Sequence, residues 1–313
     1  MEKQFKIILN PVAGGGKGKD LGLDIRKYMD KVIPGNFDIV YTKGIGDAIS
    51  LASEYQKNDK NVVIAAGGDG TINEVVNGIL KAHENKPSVC KMGIINCGSG
   101  AGFAQSFGIP SDLTSQVNLF LDGHSKPVDV GLVSYSDQSG ILKSRYFINE
   151  CQIGFSGSVV SIVSQKHKRF GGKVAFGYVA ISQLMKYHAT NMKVIMDDHK
   201  TIFRKQLGVT IGNGSYCAGG MQLTPNAKLN DGLLDVLNIA EMSLIQRLSA
   251  FSKVYSGKHI YTPFFTLDQA NHIAIDSDIP VWVEADGELL GKTPCSVSLI
   301  PGAIQIYSPI NAR

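Results

Sequence analysis

Two short stretches of this chain hold residue types and spacings that could do chemistry. Gly67-Gly68-Asp69-Gly70-Thr71 sets one carboxylate among three glycines, and Glu284-Ala285-Asp286-Gly287-Glu288 sets three carboxylates within five residues. In the first, glycines able to take positive φ let the backbone approach a ligand closely. A helical pattern follows at once, and the N–H groups and positive end of a helix favour an anion. Asp69 stands in the middle of that anion site, so it needs a metal or a structural reason. Thr71 and Glu74 have capping-box spacing, which predicts a helix N-terminus at Thr71. In the second stretch, strand alternation points Glu284, Asp286 and Glu288 toward one face, with a turn expected after Asp286. Carboxylates this close repel one another, which raises a pKa or recruits a metal. The simpler reading is a hairpin with Asp286 and Gly287 as its two central residues.

The elements around the first stretch indicate what positions it. Apolar runs at 5–9, 37–41, 61–66 and 92–96 alternate with helical patterns at 19–32, 47–55, 72–83, 102–107 and 113–121. Such alternation predicts an α/β N-terminal domain, a parallel sheet flanked by helices on both faces. Ligands of these sheets bind beyond the carboxyl ends of the strands. Glycine-rich loops follow strands one, three and four there: NPVAGGGKG, GGDGT and GSGAG. None is a common nucleotide motif. Ala13 and Asp20 break the GxxxxGK[ST] spacing, and neither GGDGTIN nor GSGAGF gives GxGxxG.

After residue 133 the texture becomes β-rich, with one helical interruption near 157–189. The expected division is residues 1–134 and 135–313, the second part an antiparallel sandwich. In PNAKLNDGLLDV (225–236), Asn230 and Asp231 suit a turn, and Asp129 of VDVG falls at the domain junction. Lys166, His167, Lys168, Arg169 and Lys173 form the dense basic run, read as a solvated helix end or as a contact for anionic lipid headgroups. The net charge of +4 suits anionic substrates and does not suggest nucleic acid. Five cysteines without a CxxC pair indicate neither a disulfide framework nor a zinc site. No run approaches the ~18 apolar residues of a membrane span, and a cytoplasmic protein is the expectation.

Asn10-Pro11 with Gly14 to Lys17, GGDGT, GSGAGFA, VDVG, NECQIGFSG (149–157), PNAKLNDGLLDV and EADGE occur in an order and spacing that resemble the diacylglycerol kinase catalytic-domain family. That family includes sphingosine and ceramide kinases, and the compact length is similar to its bacterial members. The resemblance implies an ATP-binding first domain, a β-rich second domain that helps form the lipid site, and γ-phosphoryl transfer from ATP to a lipid hydroxyl. It assigns nucleotide contacts to Asn10, Thr42, Gly67, Gly68, Asp69, Gly70, Thr71 and Ser99. Asp69 would act through magnesium, Glu288 would be the general base, and Asp286 its nearest helper. A second, structural magnesium would take the Asp231 side chain and the carbonyls of Lys228 and Leu233, and Asp129 would be an outer partner of the metal's waters. The chain departs from the family at Ala101 and Gly102, which replace a usual polar pair. Two rival readings follow: a nucleotide- or lipid-binding relative without turnover, and a soluble kinase of NAD or sugars. The implied partners are a lipid substrate and the inner face of a membrane, with homodimerisation left open.

Overall fold

The structure, a computed structural model, describes residues 4–16, 18–56, 61–83, 91–98, 101–137, 139–166 and 173–309. Its first elements are β1 (Gln4–Leu9), a single turn α1 (Ala13–Gly16), α2 (Gly18–Val32), β2 (Phe37–Tyr41), α3 (Asp47–Tyr55), β3 (Asn61–Gly67), α4 (Asp69–Ala82), β4 (Lys91–Asn96), α5 (Gly102–Phe107) and α6 (Leu113–Asp122). β1 lies between β2 and β3, and β3 pairs β4, all in parallel register. Alternate side chains serve opposite faces of these strands. Ile8, Val63 and Ala65 bury against α3 and α4, whereas Ile7, Leu9, Ile64 and Ala66 bury with Ile25 and Met29 of α2 and Phe120 of α6. Both faces are covered, which explains why these strands read as continuous apolar runs.

The next elements are β5 (Ser125–Ser136), β6 (Leu142–Phe147), β7 (Glu150–Gly154), α7 (Phe155–Lys166), α8 (Lys173–Lys186), β8 (Thr190–Met196), β9 (Lys200–Gly212), β10 (Leu234–Ala240), α9 (Leu244–Val254), β11 (Phe265–Ala270), β12 (His272–Ser277), β13 (Trp282–Ala285) and β14 (Glu288–Tyr307). Every pairing among β7 to β13 is antiparallel. β14 pairs β13 through Glu288–Lys292 and β12 through Cys295–Ser298. The order β14-β12-β8-β9-β7-β13 therefore returns to β14, and the ring closes around Ile153, Val194, Val209, Ile273, Val283 and Val297. The expected sandwich is thus barrel-like, a closure that removes free strand edges. Helix α9 lies outside the expected interruption at 157–189. Its signal was present in Ser243 and Gln246, which form a capping box.

β14 also crosses the expected division at 134. Its far end, Gln305 and Ile306, pairs in parallel with Lys91 and Met92 of β4, while most of its length pairs β5. β5 and β14 together join the parallel sheet to the ring.

Candidate active site

The C-terminal ends of β1 to β4 place the glycine loops side by side. The Asn10 Nδ2 donates to Thr71 Oγ1 at 3.2 Å, tying the loop after β1 to the first turn of α4. The Thr42 N–H donates to the carbonyl of Leu9, so the residue after β2 joins the same edge. A Cβ on Gly68 would stand 3.2 Å from the Cα of Gly98, a close approach that brings the loops after β3 and β4 into backbone contact. Ser99 lies outside the described residues.

Helix α4 begins at Asp69 with Gly68 as N-cap, two residues before the expected start, and no side chain caps it. The Thr71–Glu74 capping box does not form. Glu74 instead accepts from the N–H groups of Gly46 (2.8 Å) and Ala48 (3.2 Å), capping the start of α3. Local spacing favoured a box within one helix, but the packing of α3 on α4 offered Glu74 two N–H groups of another. Asp69 behaves likewise toward α5. It accepts from Gly102 N–H at 3.0 Å and Phe103 N–H at 3.2 Å. Ala101, at φ 50 the N-cap of α5, has no side-chain acceptor. Asp69, at the start of α4, supplies the missing cap. Its burial raises its pKa, opposed by those two N–H groups.

The second stretch folds as the simpler reading expected. Ala285 pairs with Glu288, leaving Asp286 (φ 47) and Gly287 (φ 81) as a two-residue hairpin loop with both φ positive. Its carboxylates have separate surroundings. Asp286 accepts from the N–H groups of Ile148, Asn149 and Glu150 and from Asn73 Nδ2, the last at 2.7 Å. Glu284 accepts from Ser156 Oγ and from Gly287 N–H, and burial pushes its pKa up to about 7. Glu288 is half-buried and paired with Arg145 at 2.7 Å. Burial raises its pKa, and Arg145 opposes the rise. Buried Glu150 is a fourth acid of this cluster, its pKa pushed well up by burial and then by Glu284.

Asn73 and Arg145 are the residues that sequence reasoning missed. Asn73 sits one helical turn after Asp69, donates to Asp286 and accepts from Arg145 Nη2 at 3.0 Å. Asn77, a further turn on, donates to the Tyr146 carbonyl and accepts from its N–H. The four-residue spacing of 69, 73 and 77 was a readable signal that they share a helix face. Arg145 carried none, since only the pairing of β6 with β5 aims it at Glu288. Asp286 and Glu288 thus come together through Asn73 and Arg145, and Asp69 stands one helical turn before Asn73 on α4, outside that polar chain.

The Asp231 turn belongs to a separate place. Asp231 accepts from Leu233 N–H, and nearby Asp235 is buried with its pKa pushed up to about 6 by burial and then by Asp231. Among the described residues, no three His, Cys, Asp or Glu side chains gather as metal ligands. A cation here would rest on Asp231 with carbonyls such as those of Lys228 and Leu233, an all-oxygen set that suits magnesium. Asp129, expected to serve the metal's waters, accepts with one oxygen from the backbone N–H of Gly232 (2.8 Å) and with the other from that of Gly302 (2.7 Å). It fastens that turn to β14.

An apolar cavity of about 130 Å³ lies between the barrel wall and α7, α8 and α9. Val159, Leu184, Leu207, Val254 and Phe265 line it, and Ser156, also lining it, donates to Glu284. One wall of the cavity therefore touches the acid cluster.

Comparison with known proteins agrees with this arrangement. The diacylglycerol kinase catalytic domain model matches residues 4–133, and the YegS C-terminal NAD kinase beta sandwich-like domain matches residues 150–308. The chain belongs to the diacylglycerol kinase family. Among its diacylglycerol kinase relatives, one from Staphylococcus epidermidis is 31% identical over 99% of this chain and 93% of its own. One from Staphylococcus carnosus is 30% identical over 100% of this chain and 97% of its own. A crystal structure from Bacillus anthracis str. Sterne, described as a candidate diacylglycerol kinase, superposes with a TM-score of 0.78 at 25% identity, covering 100% of this chain and 99% of that one. Yeast NADH kinase, at 12% identity and a TM-score of 0.53, shares the fold alone.

Proposed function

We propose that this chain is an ATP-dependent lipid kinase that transfers the γ-phosphoryl group to the hydroxyl of diacylglycerol or a related lipid alcohol. The observation that carries the reading is the 2.7 Å bond from Asn73 to Asp286, which sets the phosphate-favouring end of α4 beside an acidic, water-accessible hairpin. The glycine loops within residues 1–134, with Asn10, Thr42 and the first turn of α4, would hold the nucleotide phosphates. Residues 135–313 would supply the acceptor site and the base. Glu288 takes the proton of the lipid hydroxyl as its oxygen bonds to the γ-phosphorus. The bond from that phosphorus to the bridging oxygen then breaks, and ADP leaves. Asp286 is a positioning residue that fixes the hairpin, and Arg145 favours the charged form of Glu288 against the effect of burial.

Magnesium, when bound with the nucleotide, would neutralise charge developing on the transferred group. Each Asp69 oxygen that caps α5 retains acceptor capacity for a metal-bound water. The apolar cavity favours a lipid acceptor over a soluble one, since such a lining offers few partners to a sugar or nicotinamide. Incubation with γ-labelled ATP, magnesium and a total lipid extract, followed by mass spectrometry, tests the reading. A labelled lipid that disappears with Glu288→Ala is expected. Label confined to water-soluble products, or ATP binding without turnover, would overturn it.

A further inference from the structure

Helices α8 and α9 are apolar on two faces. One face lines the cavity, through Ala180 and Leu184 of α8 and Ala250 and Val254 of α9. The other meets solvent, where Ile181, Met185, Leu244, Ile245 and Leu248 are exposed, Ile245 by 80% and Met185 by 52%. A helix of a globular protein normally carries one apolar stripe, with polar residues opposite. The two helices are held as a unit, because Arg247 of α9 donates to the carbonyls of Leu184 and Tyr187 at the end of α8. Neither helix contains an aspartate or glutamate, whereas Lys186 and Lys253 stand in their last turns. Neither is long and apolar enough to cross a membrane.

The geometry points to the α8–α9 face as the surface that seats this protein on an anionic bilayer, lying in the plane of the headgroups. Two observations select a bilayer as the occupant. The outer apolar face is carried by the same two helices that wall the cavity, which sets the lipid surface one helix away from the apolar site. The charge is also complementary, with lysines and no carboxylate on the helices that would meet anionic headgroups. The placement rests on the lipid-kinase reading only for what enters the cavity; the docking itself can be measured without ATP.

The test is flotation of the full chain with phosphatidylglycerol vesicles, comparing wild type with the triple variant Met185→Ser, Ile245→Ser and Leu248→Ser. These exposed positions lie outside the cavity lining. The variant is expected to lose at least tenfold in vesicle partition while phosphorylating dihexanoylglycerol, presented in solution, at the wild-type rate. A second measurement covers misfolding: brominated lipids should quench Ile245→Trp and leave Leu23→Trp, on α2, unquenched. Equal flotation of wild type and variant, or equal quenching at 245 and 23, would overturn the proposal. So would a wild-type dimer that the same three substitutions dissociate, since a second copy would then cover the face. Flotation without phosphorylation of any lipid would reject the kinase reading and leave the docking surface standing.

Discussion

Arg145 holds Glu288 at 2.7 Å while its same Nη2 reaches Asn73 at 3.0 Å, so one guanidinium nitrogen joins the proposed base to helix α4. Burial raises the Glu288 pKa, and Arg145 opposes it. Replacing Arg145 by Ala removes the opposing charge, so the pKa rises further and less base is ionised at neutral pH. The acid limb of the kcat/KM profile should move to higher pH, with partial recovery in Arg145→Lys. A pH-rate series on the three proteins checks this, and a uniform loss of rate without a shift would contradict it.

Glu288→Ala and Asp69→Ala should both lower phosphoryl transfer by roughly two orders of magnitude or more, but only the second should also destabilise the fold. Asp69 caps α5, and losing a cap costs about 1–2 kcal/mol. Glu288 is half-exposed and caps nothing. Urea midpoints alongside kcat separate the two.

Glu74→Gln tests the helix-capping role apart from chemistry. The amide retains one acceptor where the carboxylate served Gly46 and Ala48. A loss of about 1 kcal/mol in urea stability is expected, with kcat within twofold of wild type.

Glu284 gives a pH signature of stability. Its folded pKa of about 7 lies above the 4.5 of the free side chain. Between those values the folded state binds more proton than the unfolded state, so stability from this group is full at low pH and falls as pH rises through 7. The shift corresponds to roughly 3–4 kcal/mol. Glu284→Gln removes that dependence, so its urea midpoint should vary less than the wild type's between pH 5 and 8.

Ala250→Phe fills part of the apolar cavity. Turnover of a long-chain diacylglycerol should fall at least tenfold in kcat/KM, while dihexanoylglycerol loses little. Equal losses on both would separate the cavity from chain binding.

Much of the N-terminal fold was legible because its signals are local. Strand 37–41 and helix 47–55 coincide with β2 and α3, since the apolar period marks both and Gly46 stands at the start of the helix. The Asp286-Gly287 hairpin was legible for the same reason. The destination of long-range polar bonds was not. Glu74 satisfied a local motif on paper and a neighbouring helix in fact, and Arg145 acquires its role only through strand register. Asp69 was the instructive residue. A structural reason and a metal both stood open for it, and the two N–H groups of α5 supply the first without removing the second.

The path of β14 bears on how the protein is made. Its residues Gln305 and Ile306 cover the outer edge of β4, yet they are synthesised about two hundred residues after it. At roughly 5–20 residues per second, a ribosome would leave that edge open for ten seconds or longer. Open strand edges invite pairing with other chains. The nascent protein is therefore most prone to aggregate while its first half is complete and its second half is still being translated.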